Sequence, residues 1–180
     1  IKTMKYHFVP IIFSLALLCG LLFYGCASAP HSSFNRGIIH LNIGDKEEAE
    51  QAFLQEIEEN PQNAEAWNQL GIIAFESNDS GKAKEYFRKA IEIRPTNANY
   101  LRNLAIVYAD MGKTDIANRM LQKALDLDPL NIETHIAVAK LRLLQNKYTE
   151  AQQAIEKALD IDPANQDAII LQDYINEQIQ

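Results

Sequence analysis

The tripeptide Pro-x-Asn is written four times in this chain, as Pro61-Gln62-Asn63, Pro95-Thr96-Asn97, Pro129-Leu130-Asn131 and Pro163-Ala164-Asn165. Each copy lies 34 residues from the next, without insertion or deletion. A constant period of this length restricts the chain to a stack of like supersecondary units, each presenting the same two faces to its neighbours. The punctuation inside each period is that of two helices. Each of the four Asn residues can cap the first free N–H groups of a following helix. The proline two residues earlier cannot continue a helix and closes the one before it. Counted from the residue after Asn, the units run 30–63, 64–97, 98–131 and 132–165. Position 15 is Gly44, Asn78, Gly112 and Asn146. These types tolerate the left-handed backbone that ends a helix, which costs other residues roughly 1–2 kcal/mol.

Packing positions repeat as well. Position 8 holds Gly37, Gly71, Ala105 and Ala139, and position 20 holds Ala49, Ala83, Ala117 and Ala151. Position 24 holds Phe53, Phe87, Leu121 and Ile155, and position 27 holds Glu56, Ala90, Ala124 and Ala158. Small residues at 8, 20 and 27 let the two helices of a unit approach, with position 24 filling the gap between them. This pattern resembles the tetratricopeptide repeat family, which has Trp, Leu, Gly, Tyr, Ala, Phe, Ala and Pro at positions 4, 7, 8, 11, 20, 24, 27 and 32. Unit two carries it through Trp67, Leu70, Gly71, Ala83, Phe87, Ala90 and Pro95, and unit three through Leu101, Leu104, Tyr108 and Pro129. Unit one departs at Ser33, Arg36 and Glu56. The resemblance covers residues 30 to 165. It implies an all-α fold, a right-handed α-solenoid of four helix-turn-helix units whose first helices line a concave groove. Residues 166–180 read as a C-terminal capping helix, with Ile169, Ile170, Tyr174 and Ile175 at amphipathic spacing and a polar back.

Ahead of the repeats, Lys2 and Lys5 precede an uncharged apolar run from Phe8 to Phe23, then Tyr24-Gly25-Cys26. A basic start, an apolar stretch and a small residue before cysteine describe a secretory signal over residues 1–25. The ending resembles a bacterial lipoprotein box, which implies lipidation of Cys26 as the mature N-terminus. An uncleaved membrane anchor is the alternative, because a run of about 18 apolar residues just spans a bilayer core. Residues 26–33 then form the lipidated N-terminus and a short spacer. Processing discards Cys19 and leaves no second cysteine for a disulfide. Ala27 resembles the sorting signal for an outer membrane, so the expected location is a bacterial cell envelope, lipid-anchored and facing the periplasm.

The sequence has a net charge of −7, or −9 without Lys2 and Lys5. Unit one is the most acidic, with Asp45, Glu47, Glu48, Glu50, Glu56, Glu58 and Glu59 against Arg36 and Lys46. Nothing here neutralises a row of phosphates, so nucleic acid is not an expected partner. Phosphate-binding loops, His-Glu-x-x-His, Cys-x-x-Cys and nucleophile-elbow motifs are absent. No enzyme activity, cofactor, metal or small-molecule substrate is expected. Trp67, His40 and His135 fall at positions that face the packed interior or its rim in the resembled family.

What remains is the groove. The family's groove-facing positions are 2, 5, 6, 9, 12 and 13. They select Asn68, Gln69, Ile72, Arg102, Asn103, Ile106 and Lys140 as candidate peptide-binding residues, of which Arg102 and Asn103 fill no packing position of the repeat. An apolar line flanked by amides suits an extended peptide or a helix from a protein partner. A carboxylate clamp of the family type is not expected, since only Asn103 and Lys140 match it. The whole resembles envelope lipoproteins with these repeats, including pilotins of type IV pilus systems. That implies a scaffold that assembles or docks an envelope complex. An adaptor for peptidoglycan-modifying enzymes is the alternative.

Overall fold

A computed structural model describes residues 32–179. The expectations for residues 1–25, for Cys26 and for the spacer up to His31 lie outside the described residues. Nine helices follow in order among the described residues: α1 (Ser33–Asn42), α2 (Lys46–Glu59), α3 (Ala64–Glu76), α4 (Ser80–Ile93), α5 (Ala98–Asp110), α6 (Thr114–Leu127), α7 (Ile132–Leu144), α8 (Tyr148–Ile161) and α9 (Gln166–Ile179). They pair as α1/α2, α3/α4, α5/α6 and α7/α8, each pair packing on the next, with α9 against α8. This is the expected all-α solenoid of four helix-turn-helix units and a further helix. No described helix is long and apolar enough to cross a membrane.

The local punctuation works as the sequence requires. Asn63 accepts the Ala66 N–H at 3.2 Å, Asn97 that of Tyr100 at 3.2 Å, Asn131 that of Thr134 at 2.9 Å and Asn165 that of Ala168 at 3.0 Å. Gly44, Asn78, Gly112 and Asn146 all have positive φ, between 58° and 82°.

Inside each unit, positions 8 and 24 face one another across the helix pair. A Cβ placed on Gly37 would lie 2.5 Å from the Phe53 ring, and one on Gly71 would lie 2.6 Å from Phe87. Units three and four carry Ala105 and Ala139 there, with the smaller Leu121 and Ile155 opposite. Where position 8 gains a methyl, position 24 gives up an aromatic ring, and interior density is kept.

The departure of unit one at position 27 also has a physical role. Glu56 is only 7% exposed, yet its carboxylate accepts the Phe34 N–H at 3.0 Å and the Asn63 Nδ2–H at 2.8 Å. It satisfies an orphan donor at the start of α1 and anchors the cap of α3, so a buried charge is hydrogen-bonded at both oxygens.

The polar back expected for α9 is corrected by the structure. Ala168 and Ile175 are buried against unit four, while Ile170 is 66% exposed and Tyr174 is half-exposed. The helix obeys the register of the stack. Positions 3 and 10 point inward in every first helix from α3 onward, as Ala66 and Ile73, Tyr100 and Val107, Thr134 and Leu141, then Ala168 and Ile175.

Candidate docking groove

First helices stack with positions 5, 6 and 9 of one unit beside those of the next. A groove of roughly 560 Å³ opens there between α5 and α7. Its floor is apolar, from Phe75 of α3, Ile106 of α5 and Ile136, Leu141 and Leu144 of α7. Its polar edge is Arg102, Asn103 and Asp110 of α5, Glu133 and Lys140 of α7, and Asp167 of α9. Four sequence-selected residues therefore come together, namely Arg102, Asn103, Ile106 and Lys140.

Asn68, Gln69 and Ile72 do not line this groove. Asn68 is 5% exposed, with Oδ1 accepting from Asn103 Nδ2 at 2.9 Å. Gln69 donates to Glu65 at 3.0 Å. Ile72 packs on the cluster of Ala83, Phe87 and Leu104 that joins units two and three. Asn68 and Ile72 join neighbouring units, while Gln69 is engaged within its own helix.

The same is true in part of Arg102, whose side chain is 17% exposed. Its guanidinium donates to the amide oxygens of Asn99 at 3.0 Å, Asn131 at 3.2 Å and Asn103 at 3.4 Å, with Glu133 at 3.8 Å. Burial lowers its pKa from the ordinary value and Glu133 opposes that shift. The expectation that Arg102 and Asn103 stand outside the packing is corrected. Both stitch neighbouring first helices, Arg102 by meeting the capping Asn131 of the next unit and Asn103 by meeting Asn68 of the unit before.

Tyr100 completes this seam, and sequence reasoning passed over it. It is 1% exposed and donates its hydroxyl to Glu65 at 2.8 Å. Burial, with Glu65 adding to it, pushes the phenol up to about 12. Trp67 and His135 share a role at position 4, donating a ring N–H to the carbonyl of Pro61 and of Pro129, each at 2.9 Å. His40 is half-buried, with Nδ1 3.4 Å from Asp45 and lacking a hydrogen bond. In the first turn of α2, carboxylates of Glu47 and Glu48 approach that of Asp45, a placement that a helix N-terminus favours.

Polar contacts thus cross from α3 to α5 and from α5 to the start of α7, and they thin out beyond. No hydrogen bond or ion pair between side chains of α7 and α9 is present among the described residues. Lys140 is exposed and has no carboxylate at ion-pair distance among the described residues. Leu144 is 65% exposed. Sequence reasoning missed Phe75, Asp110, Glu133, Leu144 and Asp167 as groove residues. The signal was available, since they occupy positions 12, 13, 2, 13 and 2 of the period.

A stacked helix-pair solenoid with an open groove on its first helices defines a tetratricopeptide repeat protein. A family model, the Cilia and flagella-associated protein 70 C-terminal domain, matches residues 19–172, and the chain belongs to this family of tetratricopeptide repeat domains. Among solved structures it is similar to a chain of the APC/C hetero-tetramer Cut9–Hcn1, with TM-score 0.72 and 22% identity over 79% of this chain. It spans only 29% of that chain's length. MamA is similar over 79% of this chain and 94% of its own, with TM-score 0.63 and 18% identity. The first tetratricopeptide repeat domain of Spaghetti, bound to the HSP90 peptide SRMEEVD, covers 66% of this chain and 96% of its own, with TM-score 0.61 and 21% identity. These likenesses speak for the fold alone. No curated protein matches the chain.

Proposed function

We propose that this protein is a membrane-tethered, non-enzymatic scaffold that binds a protein or peptide partner and helps dock or assemble a complex of a bacterial envelope, such as a type IV pilus or secretion channel. The observation that carries the reading is the groove itself. It combines an apolar floor, a partly exposed Ile106, an exposed Leu144 and an uncompensated Lys140 on a rigid stack of helices. Such a surface offers side-chain pockets and a polar edge to one short segment. Support for binding also comes from the similar Spaghetti domain, which is bound to a peptide. Support for tethering comes from the sequence Lys2, Lys5, apolar run and Cys26, followed by Ala27 as in proteins sent to the outer membrane.

The experiment is site-specific photocrosslinking in native membranes. A crosslinker at Ile106 or Leu144 is expected to trap one discrete partner, and one at Lys123 on α6 is expected to trap none. Equal yields from the two faces would remove the groove as the docking surface. The tether is tested alongside. Cys26→Ala is expected to abolish incorporation of a palmitate analogue and shift the protein to the soluble fraction, since two or three acyl chains contribute about 0.8 kcal/mol per buried methylene. Persistent labelling in this variant would refute the lipid anchor.

A further inference from the structure

Ionic side chains on the concave face are sorted by position. Position 2 gives Glu65, Glu133 and Asp167 along one edge, and position 13 gives Glu76 and Asp110 along the other. Between these edges runs the apolar line of Phe75, Ile106 and Ile136, and in unit four Leu144 extends it onto position 13. Three of the five carboxylates are engaged within the protein. Glu65 accepts the Tyr100 hydroxyl, Glu76 pairs with Lys46 at 2.7 Å, and Glu133 lies 3.8 Å from Arg102. The other two line the groove without a cation. Asp110 accepts only the Ser80 hydroxyl, at 2.7 Å, and Asp167 has no partner among the described residues.

From this we infer that the groove takes a cationic amphipathic helix, with bulky apolar residues on one stripe and Lys or Arg on both flanks. This rests on the docking role proposed above and specifies its partner. The apolar stripe seats on Ile106, Ile136 and Leu144, and the flanking cations meet Asp167 at one edge and Asp110 at the other. Charge complementarity decides the sign. The groove lining carries three carboxylates, Asp110, Glu133 and Asp167, against two cations, Lys140 and an Arg102 that is already held by three amides and Glu133. The net charge of −7 adds a long-range attraction for a basic segment. Lys140 is the unpaired groove cation that opposes such a ligand, and it restricts the residue above it to a neutral or acidic one.

The test uses the purified full chain and two fluorescent helical peptides with one leucine stripe, one peptide flanked by lysines and the other by glutamates. Anisotropy at near-physiological salt is expected to show the lysine peptide binding about tenfold tighter. Asp110→Lys with Asp167→Lys should weaken it by about tenfold, and Lys140→Glu should tighten it by about threefold. Glu58→Lys with Glu156→Lys, the same charge change on α2 and α8, should alter it less than about twofold. Tighter binding of the glutamate peptide, weakening by Lys140→Glu, or equal loss from the off-groove pair would overturn the cationic ligand. Ile106→Ser with Leu144→Ser separates the two claims. If it leaves both peptides unaffected, the docking role itself fails. If it weakens the glutamate peptide while the charge variants act with reversed sign, docking stands and the cationic ligand does not.

Discussion

Units one and two close on a glycine facing a phenylalanine, whereas units three and four close on an alanine facing Leu121 or Ile155. Both solutions bury position 24 to 2% exposure or less. They differ in where the volume sits. In the first pair of units the second helix supplies an aromatic ring and the first helix contributes only backbone. In the other pair a methyl from the first helix replaces part of that ring. The lesson is that a repeat position has no independent requirement, because what the period conserves is the summed volume of two facing side chains.

The largest expected effect breaks that pairing outright. Phe87→Ala leaves the Gly71 backbone facing a void, and ring-to-alanine changes in cores cost about 3–5 kcal/mol. Thermal or urea unfolding of the variant checks it. A loss below about 1 kcal/mol would mean that unit two collapses onto the space.

The pairing is sharpened by exchange between units. Gly71→Ala forces a Cβ to within 2.6 Å of the Phe87 ring, and overpacking of this kind costs typically about 1–3 kcal/mol. Phe87→Leu alone opens a cavity. Together they reproduce the Ala105–Leu121 pair, so the double variant is expected to be less destabilised than the sum by about 0.5–3 kcal/mol. Strict additivity in the cycle would show that the two positions are not compensating.

A second contrast divides the concave face itself. Between α3 and α5 the first helices are stitched by neutral Tyr100 and Asn103, to Glu65 and Asn68, while near α7 the charged Arg102 carries the seam beside an Asn131–Asn99 amide bond. Arg102→Ala removes a charged donor from the oxygens of Asn103 and Asn131 at this seam and is expected to cost about 1–3 kcal/mol. Lys140→Ala, in the same groove but without a partner, should stay within about 0.5 kcal/mol. Hydrogen exchange should locate the Arg102→Ala loss at the start of α7. Equal stability of the two variants would deny the stitch.

The repeat made most of the fold legible. Capping Asn residues, left-handed turn positions and the 8/24 pairs all act within one unit, so spacing alone places them. The groove was legible only as a set of positions. Asn68 and Arg102 looked like free polar groups because their partners, Asn103 and Asn131, lie 35 and 29 residues away across the seam between units. Helix α9 misled for a related reason. Its own apolar pattern suggested that Ile170 and Tyr174 turn inward, but the stack fixes its rotation through positions 3 and 10. These features depend on how one unit sits on the next, and no single period contains that information.

A further expected effect concerns Tyr100, and it shows through pH. Its phenol titrates near 12 in the folded chain against a usual 10, because burial and Glu65 both penalise the phenolate. A folded pKa above the unfolded one means that the neutral phenol is the form the fold favours. That contribution is complete below pH 10 and is lost as pH rises from about 10 through about 12. Tyr100→Phe removes the hydroxyl bond to Glu65, a cost of about 1 kcal/mol at neutral pH. It also removes the ionisation, so the variant should lose less stability than the parent as pH rises from about 10 toward about 12. Thermal melts of both proteins across that window give the answer. If the two curves run parallel, Tyr100 does not titrate as a buried group, and the seam between α3 and α5 is more open to water than its geometry indicates.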